Sequence, residues 1–184
     1  MSKVQVRQLA EFSVPALSIG VAAGLVAGGL AAFAGQPTGW AVLTGLALGV
    51  PIAFFSTGYA VLVALGKVPT GVFAPAAVYW LVGFPLALMA HAAVTEWVIV
   101  GSPGLPESPL EFLAFRALLS MGFAIGFLWM HEQLGRHWWP RIREHNEYAY
   151  RCVEQYKEMA VSLEERKAAA GRGRPRPRKR RAPA

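Results

Sequence analysis

Residues 12–34 read FSVPALSIGVAAGLVAGGLAAFA, an apolar run without a charged side chain. As a helix, about 20 such residues cross the ~30 Å hydrocarbon core of a bilayer. Within the run, Ala16, Gly20, Gly24, Gly28 and Ala32 recur at every fourth position, which places them along one helix face. Lipid tails are as apolar as leucine, so close van der Waals packing must hold one membrane helix on another, and small residues permit it. The next segment repeats the spacing with Ala41, Gly45, Gly49 and Ala53, after a turn containing Gly35, Gln36, Pro37, Thr38 and Gly39. Glycine is common in membrane helices in any case, but one register kept through consecutive segments predicts a packed hairpin of the glycine-zipper kind.

Working outward, four segments meet the spanning requirement: Phe12 to Ala34, Trp40 to Gly66, Phe73 to Val100, and Phe112 to Leu134. The chain is 54% apolar and only 16% charged, too little polar surface to cover four such helices in water. The predicted fold is therefore an all-α integral membrane protein. Residues 1–135 form a four-helix transmembrane bundle, 136–170 a cytoplasmic amphipathic helix, and 171–184 a disordered Arg-rich tail. Pro51 and Pro85 fall near the middles of the second and third spans, where each removes a backbone donor and crowds the carbonyl of Ala47 or Leu81. Kinks are expected there, tolerated because Ser56, Thr57 or neighbouring helices re-satisfy the backbone.

Positive charge gives the orientation. Lys3 and Arg7 precede the first span, Lys67 lies between the second and third, and Arg136, Arg141 and Arg143 follow the fourth, whereas residues 35–39 and 101–111 carry no Lys or Arg. Both termini are expected in the cytoplasm, with the body in the plasma (inner) membrane. Trp40, Trp97, Trp129, Trp138 and Trp139 fall near the expected interfaces, as an aromatic belt would. The start of the chain imitates a signal peptide ending at Ala32, Phe33 and Ala34, but its apolar run exceeds a usual signal core and its small-residue face has a partner waiting. Retention as a span is the expectation.

Beyond the spans, Glu147 with Arg151 and Glu154 with Lys157 have helical pairing distances. Ala149, Val153, Tyr156, Ala160 and Leu163 alternate like a and d positions of a heptad, over too short a length for a persuasive coiled coil. The tail holds Arg172, Arg174, Arg176, Arg178, Lys179, Arg180 and Arg181, seven of the 18 basic residues, so the net charge of +7 belongs to it. Gly, Pro and dense like charge cannot bury a core. Beside a membrane such a cluster attracts anionic lipid headgroups. Nucleic acid is the weaker candidate, on the same Coulombic ground.

Motifs for chemistry are sparse. The intramembrane polar residues are His91, Glu96 and Arg116, with Ser120 near the depth of His91, and such residues cost enough to suggest a role. Glu96 and Arg116 sit at one depth on an antiparallel pair, which predicts an ion pair, with Glu111 as a competing partner. His91 and His131 lie roughly 20–25 Å apart across the bundle at 1.5 Å per residue, too far to share a haem. Gly135 occupies the position at which a His-Glu-x-x-His motif would need its second histidine. No metal, cofactor or catalytic residue is expected, and the lone Cys152 excludes an intramolecular disulfide. The expected function is an accessory, scaffold or assembly subunit of a larger membrane complex, packing against another membrane protein or itself. The alternative is a small transporter or channel-like oligomer using the proline-kinked spans and His91.

Overall fold

The computed structural model describes residues 2–101 and 108–172. Among them the chain forms six helices and no strand: α1 (Lys3–Phe12), α2 (Val14–Phe33), α3 (Thr38–Ala64), α4 (Phe73–Val100), α5 (Pro109–Ile142) and α6 (Glu147–Arg172). Four of them, α2 to α5, are long and apolar enough to cross a membrane. Each packs on the next in chain order, and α5 returns to touch α2, which closes a ring. Large apolar side chains cover its outside, with Leu25 at 72%, Phe54 at 72% and Leu118 at 77% exposure. Lipid is the solvent that such a surface suits.

The core of the ring is aromatic. Trp80 of α4, fully buried, meets Phe123 and Phe127 of α5 at ring-centroid distances of 4.6 and 4.7 Å, and Phe84 stacks on Phe123 at 4.6 Å. The Tyr79 hydroxyl of α4 donates to the Phe55 carbonyl of α3 at 2.7 Å. Both α3 and α4 run unbroken through Pro51 and Pro85.

Three elements differ from the expectations drawn from sequence. The chain is already helical from Lys3, where Ser2 and Gln5 form a reciprocal capping box, and the break into the first span falls at Ser13, just before Pro15. Next, α5 does not stop at Leu134 but continues through Gly135 and Pro140 to Ile142. Proline so close to a helix end forfeits little, and Trp139 and Ile142 gain buried seats. The break before the last helix therefore falls at residues 143–146. Finally, the heptad-like stripe is spent on the protein itself: Ala149 is buried and Val153 and Tyr156 pack on the core, while Ala160 and Leu163 remain exposed. Residues 173–184, and with them Arg174 to Arg181, lie outside the described residues, and Arg172 ends α6.

At one end of the ring, α1, the last turns of α5, and α6 form a cap. Phe12 of α1 stacks on Trp139 of α5 at 5.0 Å and 7°. The Trp139 and Trp138 indoles donate to the Phe12 and Glu11 carbonyls at 3.1 and 2.8 Å, giving partners to carbonyls at the C-terminal end of α1. Trp139 is thus a core residue, 1% exposed, and not a member of an aromatic belt. Trp97 and Trp129 do face outward, at 59% and 64% exposure.

Candidate functional site

The residues singled out on α2 and α3 meet. A Cβ added to Gly24 would lie 2.7 Å from the Gly45 carbonyl oxygen and 3.0 Å from the Gly49 Cα, and one on Gly28 would lie 2.8 Å from the Ala41 oxygen. Gly20 comes still closer to Ala53. The contacts step up α2 as they step down α3, the register of an antiparallel pair. Ala16 is fully buried, whereas Ala32, near the turn, is exposed. On one side of the pair an open groove of about 1160 Å³ is lined by residues of α2 and α3 alone, among them Val21, Gly29, Leu46 and Val50. Gly29 differs from Gly24 in one decisive respect: nothing lies within 4 Å of the Cβ it would carry.

The intramembrane polar residues are not brought together. His91 is half-buried on α4, with its Nδ1 buried and without a partner, and its carbonyl accepts from the Thr95 hydroxyl at 2.7 Å. The Ser120 hydroxyl donates to the Ala117 carbonyl of its own helix. The expected ion pair does not form: among the described residues Glu96 is exposed and makes no ion pair, while the Arg116 guanidinium lies over the Phe112 and Phe115 rings at 4.8 and 5.8 Å. The physical reason is local. The face of Phe112, one turn back on the same helix, is within reach of the guanidinium whatever the helix rotation, whereas a cross-helix carboxylate demands one particular rotation.

A second polar group of residues lies where the ring meets its cap. His131 of α5 is 1% exposed and boxed by the rings of Tyr59 at 5.6 Å, Phe127 at 5.6 Å and Trp139 at 5.4 Å. Neither imidazole nitrogen has a hydrogen-bond partner, and Nδ1 stands 3.7 Å from Glu132 Oε1. The other Glu132 oxygen accepts from the Tyr156 hydroxyl of α6. The buried hydroxyl of Tyr59 and Glu132 Oε1 also lack hydrogen-bond partners. Beside this group, Thr70 of the α3–α4 connection donates to the Gln155 side chain of α6 at 3.2 Å and lies 4.0 Å from the Cys152 sulfur. Burial pushes the Cys152 thiol up to about 12, so it stays a neutral, unreactive thiol at physiological pH.

No protein-family model, curated protein or solved structure matches this chain. Its chemistry is therefore read from geometry alone. Among the described residues no group of three or more His, Cys, Asp and Glu side chains is placed to hold a metal ion. In sequence His131 and Glu132 fall just inside the expected end of the fourth span and fit no haem or zinc spacing, so no motif there announces the cap junction. A carboxylate adjoining a histidine at the edge of an apolar run was the available signal. Each buried polar atom left without a partner costs ~1–3 kcal/mol, and among the described residues such atoms also lie elsewhere in the core, at Ser56, Trp80 and His91.

Proposed function

We propose that this chain is a small polytopic protein of the plasma (inner) membrane that serves as an accessory, scaffold or assembly subunit of a larger membrane complex. Both termini lie in the cytoplasm in this reading, and the basic tail holds anionic lipid. The observation that carries it is the α2–α3 groove, apolar along its length and formed by backbones that the glycines have let close together. A transmembrane helix of a partner, laid in the groove, would find a smooth surface for van der Waals contact, the force that associates helices in lipid. The glycine-zipper face thus does double duty: one side closes the hairpin and the other receives the partner. The absence of any assembled catalytic group among the described residues is compatible with this role and is not its support.

The test uses Gly29, which lines the groove and has open space around it. Gly29→Leu should fill the groove without separating α2 from α3. After gentle detergent extraction, the expected result is a wild-type thermal midpoint together with at least a tenfold loss of the co-purifying membrane protein, about 1.4 kcal/mol of association. A partner retained in full by the variant, or no partner in the wild type, overturns the reading.

A further inference from the structure

Arg116 is a cation that the fold leaves without a countercharge inside a helix long and apolar enough to span. It is half-buried and lies seven residues into α5 from Pro109, roughly 10 Å along the axis. Around it the helix surface is apolar, with Leu110, Phe115 and Leu118 all exposed. Among the described residues no carboxylate pairs with Arg116, and none of its N–H groups makes a hydrogen bond. Of its three nitrogens Nε alone is closed off. We propose that Arg116 binds the phosphate of a zwitterionic phospholipid in the leaflet opposite the cap, a site that rests on α5 crossing a bilayer and is independent of the α2–α3 groove.

Chemistry and depth together select that ligand. The guanidinium lies over the Phe112 ring at 4.8 Å. Stacking of this kind occupies a face of the cation and leaves the N–H donors along its edge, which match two oxygens of one phosphate as a fork. Helix side chains lean toward the N-terminus, and for α5 that is the end away from the cap. The long stem of Arg116 therefore carries its charge toward the headgroups of that leaflet. An anion from solution would have to leave water to reach an apolar belt, whereas acyl chains tether a phospholipid phosphate at its edge. Glu96 and Glu111, both exposed, lie nearer the ends of their helices than Arg116 does. An anionic headgroup would add charge of their own sign beside them, and the ammonium of a zwitterionic one would not. This separates the site from the basic tail, whose attraction is to net negative lipid.

Native mass spectrometry of the full chain in mild detergent, titrated with phosphatidylethanolamine or with diacylglycerol of the same acyl chains, tests this. The expected result is a phosphatidylethanolamine held at least about fivefold more tightly by the wild type than by Arg116→Gln. Arg116→Lys should fall between them, since an ammonium keeps the charge and loses the fork. Diacylglycerol should bind weakly to all three. Equal binding of phosphatidylethanolamine by the wild type and by a folded Arg116→Gln overturns the proposal, whether or not a partner protein is lost from the variant. Wild-type binding of diacylglycerol as tight as that of phosphatidylethanolamine overturns it too. Displacement of the lipid by millimolar inorganic phosphate would assign Arg116 to a soluble anion, and Arg116-dependent binding that favours phosphatidylglycerol would contradict the choice of headgroup. Should Arg116→Gln not fold, Arg116→Lys and the wild-type comparison of the two lipids decide.

Discussion

Gly24→Leu is expected to cost this protein about 3 kcal/mol or more in detergent, against less than about 0.5 kcal/mol for Leu25→Ala. The first would drive a side chain into the Gly45 carbonyl oxygen, already only 2.7 Å from where a Cβ would begin. The obstacle is backbone, which has no alternative rotamer, so the helices must move apart along the pair. Leu25, one residue on, is 72% exposed, so its truncation leaves the packing of α2 on α3 in place. Alanine sharpens the comparison. Gly29→Ala meets nothing within 4 Å and should be neutral or stabilising by up to ~1 kcal/mol through helix propensity, while Gly24→Ala should destabilise despite the same gain. Thermal unfolding gives the answer, and equal midpoint shifts for Gly24→Ala and Gly29→Ala would contradict a contact-limited hairpin.

Asn146→Ala is expected to loosen the cap by about 2–4 kcal/mol, the sum of a lost helix N-cap and of partners left unsatisfied under cover. Asn146 is 1% exposed. Its Oδ1 accepts from the Ala149 N–H at 3.1 Å, capping α6, and its Nδ2 donates to the Gln8 carbonyl at 2.7 Å and toward Glu11 Oε2 at 3.4 Å. From the same turn, the His145 carbonyl accepts from the Gln8 side chain at 2.9 Å and the His145 ring lies 3.2 Å from Glu11 Oε2. One side chain thus joins the start of α6 to α1. Hydrogen exchange of α1 and α6 reads the loss, and unchanged protection in Asn146→Ala would contradict it.

The same clasp has a pH dependence of known sign. The hydrogen bond from Arg7 at 2.9 Å holds the Glu11 carboxyl below its ordinary value, with Asn146 and His145 acting in the same direction and partial desolvation against them. A carboxyl depressed in the folded state contributes stability above its unfolded value. That contribution is lost as pH falls through the lowered folded value. Cap protection should therefore weaken on acidification in the wild type and lose this acid limb in Glu11→Gln.

Much of the fold was legible because its strongest signals are local. An apolar run of spanning length needs no knowledge of its neighbours, and the spacing of Gly20, Gly24 and Gly28 against Gly45 and Gly49 places small residues on facing surfaces wherever the hairpin closes. The cap was illegible for the opposite reason. α1 is short and mixed in composition, and its helix rests on Phe12 stacking against Trp139, a partner far along the chain that no periodicity announces. Likewise the fourth span was expected to end at Leu134, just before Gly135, yet α5 passes through because Trp139 packs against the space that Gly135 leaves open. The Glu96–Arg116 pair failed because depth along a helix is readable from sequence and rotation about its axis is not. His131 and Glu132 are visible in sequence only as a failed metal motif, since burial on all sides arises only when α3 and α6 arrive.

The claim on which the rest depends is that α2 to α5 cross a bilayer, so that successive turns lie on opposite sides. Single cysteines at Gln36 and Lys67, both exposed, in a Cys152→Ser background, can be treated with a membrane-impermeant maleimide on intact cells. The account predicts labelling at Gln36, between α2 and α3, and protection at Lys67, between α3 and α4, until the membrane is opened. Equal labelling of both positions on intact cells would contradict it.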